Sequence, residues 1–76
     1  MPTLGEFVAH AKRYGFKRRL VALESVGLGR GRLIYLWRDA AHFAELPDLR
    51  QGDRLTREVV ETLCRQLGIP AEDFGL

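Results

Sequence analysis

Apolar residues recur at helical spacing near both ends of this chain and give way to strand-like runs between them, which leaves few folds open. Leu4, Phe7, Val8, Ala11 and Tyr14 form one stripe along a helix. Thr3 and Glu6 ahead of it stand at capping-box spacing, a hydroxyl and a carboxylate placed to satisfy free N–H groups. Gly15 falls where a left-handed cap belongs. Leu55, Val59, Val60, Leu63, Cys64 and Leu67 form the second stripe, with Asp53 or Thr56 as its cap, Gly68 closing it and Pro70 preventing continuation. Between the stripes, Phe16–Leu23 is a short run bounded by glycines and reads as a strand, although its Leu and Ala content also suits a helical turn. Leu33-Ile34-Tyr35-Leu36-Trp37, flanked by Arg32 and Arg38, is a stronger strand, rich in aromatic and β-branched residues. Asp39-Ala40-Ala41 makes a turn into a third strand, His42–Leu46, stopped by Pro47. A polar connection, Asp48–Asp53, leads to the second helix, and Ala71–Phe74 adds a last turn that tucks Phe74 under the core. The predicted order is α-β-β-β-α, an α+β fold with a three-stranded antiparallel sheet and both helices on one face.

Seventy-six residues make a single domain, 1–76, near the lower limit at which one core suffices. A homodimer or a partner protein would help so small a core. No apolar run approaches the ~20 residues that span a bilayer. Met1-Pro2-Thr3-Leu4 runs directly into the first stripe without a basic n-region or an apolar h-region, so no membrane association and a cytoplasmic location are expected. Cys64 is the only cysteine and lies on the core side of its helix, where a small buried hydrophobe is expected. One Cys and two separated His do not assemble a zinc site, and neither metal nor cofactor is expected.

Charge is divided along the chain. Residues 1–38 carry eight Lys/Arg against two acids, a net of +6, and residues 39–76 carry four Arg against eight acids, a net of −4. Lys17, Arg18, Arg19, Arg30, Arg32 and Arg38 interleave with Tyr35 and Trp37. Cations displace counterions from phosphates and rings stack bases, so the basic half suits RNA. The competing reading puts Leu33, Tyr35 and Trp37 in the core, since they alternate on one strand face. Gly27-Leu28-Gly29-Arg30-Gly31 is not a nucleotide fingerprint, because no helix starts behind it to point N–H groups at a phosphate. It reads as a hairpin connection whose arginines clamp a backbone.

Tyr14-Gly15-Phe16 closing the first helix, the glycines opening an aromatic strand, Leu46-Pro47 ending the third strand, and Asp53–Ile69 with its closing Gly68-Ile69 together resemble the HicA toxin family over nearly the whole chain. Glu72-Asp73-Phe74 resembles the family's short tail. The resemblance implies a fold like double-stranded-RNA-binding domains, cleavage of mRNA without a metal, and a HicB-type antitoxin as partner. It also exposes a departure. The family carries a catalytic His where the second strand begins, and here Arg32 stands in that place, or Arg30 if the gap falls elsewhere. Imidazole exchanges protons near neutral pH, whereas a guanidinium stabilises a phosphorane but is a poor base. His42, expected to pair near Trp37 or Arg38, lies about five residues from Arg32, ~16–18 Å at ~3.3 Å per residue, and does not replace the missing group. Three classes therefore stand open. The first is an RNA-binding protein without cleavage. The second is a divergent mRNA interferase, a metal-independent endoribonuclease using His10, Tyr14 or Tyr35 for proton transfer. The third is a protein-interaction module working through the acidic helix Thr56–Leu67 or a sheet edge.

Overall fold

Thr3 and Glu6 close the first helix as their spacing predicts. The Thr3 hydroxyl accepts from the Glu6 amide at 3.2 Å, and the Thr3 amide donates to the Glu6 carboxylate at 2.9 Å. In this computed structural model, which describes residues 1–27, 29, 31–47 and 51–76, seven elements follow in order. They are helix α1 (Leu4–Arg13), strand β1 (Lys17–Ala22), a 3-10 turn (Leu23–Val26), strands β2 (Arg32–Asp39) and β3 (His42–Pro47), helix α2 (Arg57–Leu67) and a second 3-10 turn (Ala71–Phe74). The order is the predicted α-β-β-β-α, and the sheet is antiparallel throughout with β2 in the centre. Arg30, Leu28 and the start of the polar connection at 48–50 lie outside the described residues.

Several boundaries differ from the expected ones for local reasons. Phe16 precedes β1 and is buried in the core, and Leu23 opens the 3-10 turn, its amide donating to the Gly31 carbonyl at 2.9 Å in continuation of the β1–β2 register. Thr56, not Asp53, caps α2, its hydroxyl accepting from the Val59 amide at 3.3 Å. The segment before α2 is tied to the start of α1: the Leu4 amide donates to the Asp53 carbonyl at 2.8 Å and the Leu55 amide to the Pro2 carbonyl at 3.0 Å. Both helices therefore begin from one anchored corner.

The two helical stripes meet one face of the sheet. Leu4, Phe7, Val8 and Ala11 from α1 and Val60, Leu63, Cys64 and Leu67 from α2 are buried with Ile34 and Leu36 of β2 and with Ala44 and Leu46 of β3. Val59, counted in the second stripe, is instead 37% exposed. Phe74 stacks on Phe7 with ring centroids 5.2 Å apart, closing the core from below. β1 contributes nothing to this buried set, and Leu20 on its helix side is 41% exposed. Among the described residues no helix is long and apolar enough to cross a membrane.

Candidate nucleic-acid interface

Directly opposed residues of an antiparallel pair share a face of the sheet, and neighbours along a strand alternate between faces. Ile34 and Leu36 are buried under the helices, so Leu33, Tyr35 and Trp37, all half-buried, occupy the opposite face, which no helix among the described residues covers. That decides against the core reading of these three residues. The register then fixes their neighbours. Lys17, Trp37 and Phe43 form one row across β1, β2 and β3, and Arg19, Tyr35 and Glu45 form the next. Val21 beside Leu33 extends the face. Its aromatic surface is already organised: Tyr35 and Phe43 lie nearly parallel at 5.8 Å, 21° apart, and the Lys17 ammonium sits 4.9 Å from the Trp37 ring centre. Phe43, 43% exposed, adjoins Tyr35 and Trp37 and completes a contiguous aromatic patch, the kind of exposed apolar surface that marks a binding site.

The basic residues singled out in the sequence divide between the two faces. Lys17 and Arg19 lie on the open side. Arg18, opposite Leu36, points to the helix side and borders a shallow groove with Val8, Ala9 and Lys12 of α1. Arg38 shares the parity of Ile34 and Leu36 and also turns inward. Its guanidinium lies 4.7 Å over the Phe16 ring and donates to the Tyr14 carbonyl at 3.0 Å, a cation where α1 ends. Arg32 opens β2 opposite Ala22, at the end remote from the β2–β3 turn.

Of the proton-transfer candidates, His10 and Tyr14 are brought together on Asp73, their rings 5.5 Å apart, and Tyr35 is not. His10 lies in the helical layer, where its Nε2 donates to the Asp73 carboxylate at 2.9 Å. Tyr14 donates to the same carboxylate oxygen, and the His10 ring stands edge-on to Phe74 at 4.8 Å. The bond from Tyr14, then that from His10, holds the Asp73 carboxyl below the usual carboxylate range, while the same carboxylate pushes the Tyr14 phenol up. Tyr35 is on the other side of the sheet. His42 pairs with Asp39, not with Trp37 or Arg38, because the irregularity at Arg38 inserts a residue into β2. Its Nδ1 donates to both Asp39 carboxylate oxygens, at 2.8 and 3.0 Å, which lowers the Asp39 carboxyl. Asp39 is seven residues along β2 from Arg32, so the separation grows to ~23 Å. Among the described residues, the open face carries no imidazole.

Phe43, Glu45 and Asp73 escaped the sequence reading. The signal for the first two was present: in Phe43-Ala44-Glu45-Leu46 a charged residue marks the outward parity, and Phe43 shares it. A second concavity runs between β3 and α2, lined by Leu46, Leu55, Val59 and Leu63 with Glu45 and Glu58 at its rim. It is where the expected sheet edge and acidic helix meet, though Arg57 of that helix is paired with Glu61 at 2.9 Å. Family models, curated proteins and solved structures were all compared with the chain, and none matches it.

Proposed function

We propose that this chain is a small RNA-binding protein, akin to HicA-type toxins in pattern but without their cleavage chemistry, that holds single-stranded RNA across the open face of its sheet. The observation that carries the reading is the convergence of Tyr35, Trp37 and Phe43 with Lys17 and Arg19 on the face that, among the described residues, no helix covers. Aromatic faces stack bases of any sequence and neighbouring cations hold the phosphates that connect them. An open sheet face admits splayed bases but does not enter a duplex groove, so the ligand class is single-stranded. Lys17 over Trp37 is suited to this use. A base arriving on the indole displaces the ammonium, which swings to a phosphate. The resemblance to HicA supports the same ligand class and brings a HicB-type protein as partner. Arg32 in place of the family His, and the separation of His10 from Tyr35, favour binding over cleavage.

The test is a titration of labelled single-stranded RNA at several salt concentrations, with integrity of the RNA followed on a denaturing gel. Affinity should fall with salt, and Lys17→Ala should reduce the slope of log K against log salt by about 0.7, one single-strand phosphate contact. Trp37→Ala should cost about 1–3 kcal/mol of binding. Binding indifferent to salt and to Trp37 would refute the reading, and discrete fragments that vanish in His10→Ala would restore the interferase.

A further inference from the structure

A carboxylate stands on the face just described, at its β3 edge, and a surface that only gathered phosphate would be weakened by it, since like charges repel. Arg19, Tyr35 and Glu45 lie side by side across the three strands, a cation and an anion on either side of a ring. Two strand spacings, ~10 Å, separate the outer pair. Among the described residues neither the Arg19 nor the Glu45 side chain makes a hydrogen bond or an ion pair, so neither charge is explained by the packing of the fold. Glu45 is exposed on edge strand β3, where its carboxylate is free to meet a ligand lying on Tyr35.

A nucleotide has the same polarity as this row. Its phosphate is an anion at one end, its base is a stacking plane, and the Watson–Crick edge lies at the other end. What a carboxylate accepts from that edge depends on the base, because an ionised carboxylate has two acceptor oxygens and no donor. Guanine alone presents two adjacent donors there, N1–H and the N2 amino group, which match both oxygens at once. Adenine and cytosine each place an acceptor nitrogen beside their amino group, and uracil flanks its single N–H with two carbonyls, so each sets a lone pair against the carboxylate. We propose that Glu45 selects guanine for the base stacked on Tyr35, with Arg19 taking a phosphate on the opposite side of the ring. This rests on the RNA-binding reading above and adds to it the identity of one base.

The experiment measures binding of the whole protein to short oligouridine strands that are plain or carry one central guanosine, adenosine, cytidine or inosine. The guanosine strand should bind about tenfold or more tighter than the others, the discrimination of a good bidentate pair. Inosine, which keeps N1–H but lacks the amino group, should lose most of that gain. Glu45→Gln should erase the preference while binding plain oligouridine at least as tightly, because a charge that repels phosphate has gone. Glu45 is exposed, so the variant is expected to fold, and far-ultraviolet circular dichroism checks that it does. Equal binding of all strands, a preference for another base, or a guanosine preference that survives Glu45→Gln overturns the assignment of Glu45 and leaves RNA binding standing. Failure of every strand to bind the unaltered protein overturns the RNA reading, and this inference with it.

Discussion

Asp73 accepts from two side chains of α1 at once, His10 and Tyr14, and so fastens the C-terminal 3-10 turn to the first helix. The signs of its effects follow from the two shifts. A carboxyl whose folded pKa lies below its unfolded value adds stability that is present above the unfolded value and lost as pH falls through the folded one. A phenol whose folded pKa is raised adds stability that is present below the ordinary value of about 10 and lost as pH rises through the folded one. Asp73→Asn should therefore flatten the acid limb of stability against pH, read from urea midpoints in series. It should also bring Tyr14 ionisation back toward the ordinary value, read from near-ultraviolet absorbance during alkaline titration. An unchanged tyrosine titration would show that the Tyr14–Asp73 bond does not persist in solution. No sequence pattern announced this cluster, because its partners are 59 and 63 residues apart and chain proximity gives no hint of them.

At the scale of elements, both helices end on glycines in the left-handed region, Gly15 at φ +87 and Gly68 at φ +69, and the two differ in what surrounds them. A Cβ at Gly15 would meet the Arg38 side chain at 3.6 Å, an ordinary contact, whereas at Gly68 it would press within 3.2 Å of the His42 ring. That ring is held in place by its two bonds to Asp39. Alanine at either site carries a left-handed penalty of roughly 1–2 kcal/mol. Gly68→Ala should cost more than Gly15→Ala, and the excess should shrink in Gly68→Ala/Asp39→Ala, where the ring is free to move; equal midpoints for the two single variants would remove His42 from the account. The elements themselves were legible because period and punctuation agreed at each of them: capping box, helical stripe, glycine, short apolar run. The orientation of β2 was not. Leu33 to Trp37 is apolar at both parities, so alternation gives no sign of which side faces the helices. Only the pairing of Tyr35 with Glu45 and of Leu36 with Ala44 decides it.

For the whole molecule, the division of charge along the chain does not become a division between faces, since Lys17 and Arg19 point one way while Arg18 and Arg38 point the other. What separates the faces is burial. Ile34 and Leu36 are fully buried and hold the helices to the sheet, while Tyr35, Trp37 and Phe43 remain partly or largely exposed. Adjacent residues of β2 thus belong to different tasks, and substitution separates them. Leu36→Ala removes buried volume and should destabilise by about 2–5 kcal/mol, a large part of the stability of so small a domain. Trp37→Ala should lower stability far less, because its ring is only half-buried and its stacking partner is a surface lysine. The two should rank oppositely in RNA affinity measured where both are folded, with Trp37→Ala weak and Leu36→Ala near normal. If Trp37→Ala unfolds the protein as readily as Leu36→Ala does, the open face is a second core surface covered by another protein copy or partner. The aromatic residues would then be there for assembly, and a dependence of the unfolding midpoint on protein concentration would identify a second copy.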